Sequence, residues 1–107
     1  RPDRTLGGGR SRLIKPYMGK LYYQRGERYF RSKSYLAAFR DYKRARGYGY
    51  SRASSGIAKV RRKAMDFFKQ AEALKGIADD EAKRMYRKVV QILPSSHPLA
   101  RRARQNL

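Results

Sequence analysis

Positive charge is the first thing this chain has to accommodate. Its 107 residues carry 28 Lys+Arg against 8 Asp+Glu, a formal net charge of +20. Folding alone in water would bring those like charges together at a cost in free energy. The apolar fraction is 40%, but nine of those residues are tyrosines. With a mean hydropathy of −0.92, the chain can build a small core and not a large one. Its length allows one domain. A polyanionic partner that neutralises much of the charge is therefore expected.

Several classes fall away. The chain has no cysteine, so it has no disulfide framework and no thiolate metal site. One histidine, His97, cannot build a His-rich metal centre, and no metal or other cofactor is expected. No stretch approaches the roughly 18 apolar residues of a membrane span, so no transmembrane segment is expected. The first residue is Arg1 rather than Met. Removal of a targeting presequence is one expectation from that, and a sequence that is itself a part is the other.

Acid and tyrosine are unevenly spread. Residues 1–54 hold 15 Lys+Arg and only Asp3, Glu27 and Asp41 as acids. Eight of the nine tyrosines fall between Tyr17 and Tyr50. Residues 1–19 read as extended, because Gly7-Gly8-Gly9, Pro2 and Pro16 oppose a helix. Arg4, Arg10, Arg12 and Lys15 make this a basic arm. Over residues 20–31, Leu21-Tyr22-Tyr23 and Tyr29-Phe30 flank Arg25-Gly26-Glu27. That pattern fits a hairpin turn, a short helix or an irregular segment equally.

Four helices follow, over about 34–46, 55–75, 79–93 and 97–105. In the first, Tyr35, Ala38, Phe39 and Tyr42 share one face, and Gly47 is a natural stop. In the second, Ile57, Val60, Ala64, Phe67, Phe68, Ala71 and Leu74 repeat at helical spacing before Gly76. In the third, Asp79 is the expected cap, and Ala82, Met85, Tyr86, Val89 and Leu93 form the buried stripe up to Pro94. Ser96 is the expected cap of the fourth, with Pro98 in its first turn. The short link at 76–78 makes helices two and three an antiparallel hairpin. The fold class is mostly α: a small helical hairpin or bundle over residues 32–107, with an extended basic N-terminal arm over residues 1–31.

No catalytic constellation assembles. Asp79-Asp80-Glu81 lies where a helix start favours negative charge. Gly7-Gly8-Gly9-Arg10-Ser11 lacks the spacing of a phosphate-binding loop. His97 precedes Pro98 in a connector, without a carboxylate or nucleophile beside it. The chain reads as a non-enzyme with no small-molecule substrate.

Two local resemblances are short. Arg46-Gly47-Tyr48-Gly49-Tyr50 resembles the start of the ribonucleoprotein octamer of RNA-recognition-motif domains, where the aromatics stack on bases. It departs at Ser51 and Ala53, and Tyr35–Arg46 leaves no room for the strand that the family places before this motif. Tyr48 and Tyr50 could stack on unpaired bases without that fold, or pack on the helices. Ala82, Tyr86, Val89 and Pro94 resemble the second helix of a tetratricopeptide repeat. The preceding helix departs from the family, so only a helical hairpin follows.

Across the whole chain, the basic arm, the tyrosines and glycines among arginines, and the small helical body resemble a ribosomal protein. With the absence of cysteine and a presequence removed, the class is that of a lineage-specific protein of a mitochondrial ribosome in the matrix. The resemblance implies a structural role, with rRNA and neighbouring ribosomal proteins as partners. Between Arg31 and Lys63 lie eleven Lys+Arg and one acid. Arginine suits bidentate contact with phosphate and stacking on bases. The residues expected to meet RNA are Arg4, Arg10, Arg12, Lys15, Lys20, Arg25, Arg28, Arg31, Lys43, Arg44, Arg46, Tyr48, Tyr50, Arg52, Lys59, Arg61, Arg62, Lys63, Arg101, Arg102 and Arg104. The alternative is a basic accessory subunit of an organellar membrane or respiratory complex, facing acidic lipid or protein. A DNA-packaging protein fits the charge and leaves the aromatic segment unexplained.

Overall fold

In the computed structural model the chain forms α1 (Pro2–Arg31), α2 (Tyr35–Gly47), α3 (Ala53–Leu74), α4 (Asp79–Ile92) and α5 (Pro98–Arg104). The structure describes the backbone from Pro2 and the side chains from Tyr17 to Leu107. Among the described residues there is no strand. The class is a small helical bundle, as expected. The extended course expected over residues 1–19 gives way to helix at residues 17–19; before Tyr17 the structure describes the backbone of α1 and no side chain. From Tyr17 to Arg31 the chain is helix, so the division into an arm up to residue 31 and a body after it does not hold there. Nor is residue 25–27 a hairpin turn.

The physical reason is packing on α2. Gly19, Tyr23, Gly26 and Phe30 recur at helical spacing along α1 and face inward. Gly19 and Gly26 are buried, and Tyr23 and Phe30 pack against the core. Glycine and tyrosine weigh little on a hydropathy scale, so this stripe does not register as apolar periodicity. It works by shape. A Cβ on Gly26 would lie 3.0 Å from the Tyr42 ring. The chain then reverses within three residues, helped by Lys33 in the left-handed region at φ 65. Ser34 N–H donates to Tyr29 O at 2.9 Å and closes the end of α1.

Tyr42, on α2, sits between α1 and α3. Its side chain is fully buried, and Gly26 of α1 and Gly56 of α3 both come up against its Cδ1–Cε1 edge. A Cβ on Gly56 would come within 2.7 Å of Cγ and closer still to Cδ1. The Tyr42 hydroxyl donates to Glu27 Oε1, and Lys59 Nζ donates to the same oxygen at 2.7 Å. Burial first, and then the Glu27 hydrogen bond, push the Tyr42 phenol well above its ordinary pKa. Desolvation alone would raise Glu27, but the bonds from Lys59 and Tyr42 outweigh it and hold the carboxyl below its usual range.

The second half follows the expected hairpin. Phe68 of α3 meets Tyr86 of α4 edge-on, with centroids 5.6 Å apart. Lys63, more than a turn earlier in α3, lines the same groove as Ile92, more than a turn later in α4, so the two helices run antiparallel. Ile57, Val60, Ala64, Phe68, Ala71, Ala82, Tyr86, Val89 and Leu93 join one core with Phe39, Tyr42 and Ala100. Two caps differ from expectation. Ala78 precedes α4, and Asp79 lies inside it, its Oδ1 accepting from Gly76 N–H at 2.7 Å. His97 replaces Ser96 as the cap of α5: its Nδ1 accepts from Leu99 N–H at 3.1 Å. A ring nitrogen that accepts is unprotonated. Desolvation, then Arg61 and Lys43, lower the His97 pKa.

Two predictions follow from this packing. Gly56→Ala gains helix propensity of about 1 kcal/mol but collides with Tyr42. A net loss of about 1–3 kcal/mol is expected, read as a lower Tm. Gly47→Ala meets nothing within 4 Å and should leave Tm unchanged or slightly higher. For His97, the unfolded chain takes up a proton that the folded chain resists. The cap's contribution is therefore fully present above about pH 6.5 and declines as pH falls toward the lowered folded value. His97→Asn keeps a capping oxygen and does not titrate, so it should flatten urea midpoints measured across this range.

Candidate nucleic-acid interface

The described acids of the first half, Glu27 and Asp41, are used internally. Asp41 is 1% exposed. Arg25 Nε and Nη2 donate to its two oxygens at 2.6 and 2.9 Å, and Arg44 Nη1 donates to Oδ1 at 2.9 Å. The bidentate bond to Asp41 and its charge raise the Arg25 guanidinium well above its ordinary pKa. Glu27 is bound by Tyr42 and Lys59. From Tyr17 to Met65 there is no other acid, so every exposed charge on that stretch is positive.

The arginines that Asp41 holds also address a ring. Their guanidinium carbons lie 5.4 Å (Arg25) and 5.7 Å (Arg44) from the Tyr22 centroid. Tyr22 stacks on Tyr48 with centroids 5.7 Å apart and planes 13° apart. A carboxylate, two arginines and two tyrosines thus join the α1–α2 hairpin to the loop after α2. Beside them Met18, Leu21, Tyr22, Arg25 and Arg28 line a shallow hollow of about 260 Å³. Along the outer face of α1, Tyr17, Lys20, Leu21, Gln24, Arg28 and Arg31 form one exposed stripe. Arg40, Lys43, Arg44 and Arg46 continue it on α2.

The sequence-predicted residues divide into groups. Arg4, Arg10, Arg12 and Lys15 lie outside the described side chains. Lys20, Arg28, Arg31, Lys43, Arg46, Arg52, Arg61, Arg62 and Arg101 are exposed, and none of them is in an ion pair with a described residue. Arg25, Arg44 and Lys59 are engaged internally, so their first role is to hold the fold. Arg102 lies over the Phe68 ring at 4.8 Å, and Arg104 donates to Ser95 O at 2.7 Å. Tyr50 is a correction. It is half-buried against Tyr23, with centroids 5.1 Å apart, and its Cβ faces Gly19, so it packs on α1 and is not free to receive a base. Tyr48 keeps 36% exposure while stacking on Tyr22.

Sequence reasoning missed Tyr22, Lys33, Arg40 and Lys88. The signal for Tyr22 was the seven-residue recurrence of Gly19 with Gly26, Tyr22 with Tyr29, and Tyr23 with Phe30. No local signal tied Lys88 to Lys63. Among the described residues, no group of three His, Cys, Asp or Glu could hold a metal, and no helix is long and apolar enough to cross a membrane. Comparisons with protein-family models, curated proteins and solved structures find no match.

The role of Asp41 can be measured. Asp41→Asn removes a buried charged acceptor, with an expected loss of about 1–3 kcal/mol in urea unfolding. The half-exposed arginines regain water and cushion the change. Arg25→Ala should destabilise more than Arg44→Ala, because two bonds are lost rather than one. Equal effects would mean that the bidentate geometry does not matter.

Proposed function

We propose that this chain is a structural RNA-binding component of a ribonucleoprotein particle and has no enzymatic role. The observation that carries the reading is the inward use of Glu27 and Asp41. From Tyr17 onward it leaves the outer face of α1 and α2 with no charge but cations. A solvated surface needs charge of either sign, not a single sign over so many residues. A face of one sign is an electrostatic footprint for a polyanion. The exposed rings of Tyr17 and Tyr48 add surfaces on which unpaired bases stack.

A ribosome is the particle that this composition resembles, and the mitochondrial ribosome within its class. In that setting the exposed cations neutralise rRNA phosphates by shape and charge rather than by sequence. Ile77, 84% exposed at the α3–α4 turn, and Met65 are surfaces for neighbouring proteins.

The test has two parts. The native protein should sediment with a large particle and be released by ribonuclease. Retention on membranes after ribonuclease would favour the accessory-subunit reading, in which α1 lies on anionic lipid. In a binding assay with structured RNA, affinity should fall steeply with salt. Replacing Lys20, Arg28 and Arg31 together with glutamine should flatten the log–log salt slope by about 2–3 without changing Tm. An unchanged slope would place the RNA elsewhere.

A further inference from the structure

A second site lies at the other end of α2 from the Tyr22 cluster. The start of α2 and the α3–α4 hairpin enclose a groove of about 510 Å³, within the usual range for small-ligand sites of about 300–1,000 Å³. Three ammonium groups line it, from Lys33, Lys63 and Lys88. None of them is in an ion pair with a described residue, and no acid lines the groove. Its aromatic lining is Tyr35 and Phe67, both half-buried, and two of the lysines reach the Phe67 ring. Lys88 Nζ and Lys63 Nζ lie 5.0 and 5.8 Å from that ring's centroid.

The first turn of α2 also faces the groove. It has no acidic residue, and Ser34 makes no side-chain cap bond, so the N–H groups of Leu36 and Ala37 lack a capping acceptor. Gln91 stands at the rim with an amide that both donates and accepts. Cations, free N–H donors, two flat rings and one amide match a ligand with an anionic end and a planar, hydrogen-bonding end. An acidic peptide satisfies the lysines but makes no use of the rings and amide together.

We propose that this groove holds one unpaired nucleotide of RNA, its base against the Phe67 ring and its phosphate among Lys33, Lys63 and Lys88. The proposal rests on the RNA-binding reading above and places a specific contact within it. Lys33 follows Arg31 in the chain, so a strand lying along the outer face of α1 reaches the groove from that end.

The test uses the full chain, titrated by NMR with adenosine monophosphate, inorganic phosphate and a short single-stranded RNA. The nucleotide should shift the Phe67 ring resonances and the Leu36 and Ala37 amides, while inorganic phosphate shifts the amides alone. Phe67→Leu keeps the apolar packing and removes the flat ring. With Tm unchanged, it should weaken single-stranded RNA binding by about five- to a hundredfold and leave duplex RNA binding as it was. Lys63→Gln with Lys88→Gln should abolish the nucleotide shifts. Equal affinity for phosphate and nucleotide, with no ring shift, would reduce the groove to a bare anion site and overturn the proposal. Unchanged single-stranded binding by Phe67→Leu would also overturn it, and would leave the α1–α2 face as the RNA surface. Failure of the native protein to bind any RNA would overturn both readings, even if the free nucleotide still shifted the ring.

Discussion

The close approach of Gly26 and Gly56 to the Tyr42 ring sets the rest of the molecule. A tyrosine of this size cannot lie between two helices that both carry side chains at the crossing point. With hydrogen there instead, α1 and α3 both close on one ring. The hydroxyl at the far end of that ring finds Glu27, and Glu27 finds Lys59. Steric fit and polar satisfaction thus meet in one side chain, and the burial of Tyr42 is not left with an orphan donor. Tyr86, the other fully buried tyrosine, lacks a partner within hydrogen-bond distance among the described residues; burial first, and then the nearby Glu72 carboxylate, raise its pKa.

That arrangement also decides where charge appears. A chain this basic could neutralise itself by scattering its few acids over the surface. Here Glu27 and Asp41, the two acids between Tyr17 and Gly47, are drawn into the helix interfaces, where each holds cations in fixed positions. Asp41 aligns Arg25 and Arg44 along Tyr22. Glu27 fixes Lys59, whose ammonium lies 4.6 Å from the Phe30 ring. The acids after residue 47 lie on the later part of α3 and on α4, where Asp79, Asp80 and Glu81 occupy the first turn of α4 and complement its dipole. The molecule is therefore polar in its distribution of sign.

Much of the helical body was legible locally. Ile57 through Leu74 and Ala82 through Val89 carry large apolar side chains at helical spacing, and burial follows directly from that pattern. The caps were less legible. Serine and aspartate have the better propensities, yet His97 caps α5, because the fold places its ring beside the Leu99 N–H. α1 was illegible for another reason. Its inward stripe alternates glycine with aromatic residues, and such a stripe has meaning only opposite a partner that fills the gaps. Tyr50 was misread on the same account: a tyrosine between glycine and serine looks exposed until Gly19 and Tyr23 come to meet it.

By itself, the sequence determined the helical class, the α3–α4 hairpin and the excess of positive charge. These depend on residues near one another in the chain, through backbone propensity, periodicity and simple charge balance. The tertiary structure alone decided which cations are spent inside and which face outward, because that choice depends on pairs such as Arg25 with Asp41 and Lys59 with Glu27. It also brought Lys33, Lys63 and Lys88 around Phe67. Those residues come from three separate segments, and only the packing of α2 against the hairpin makes them neighbours.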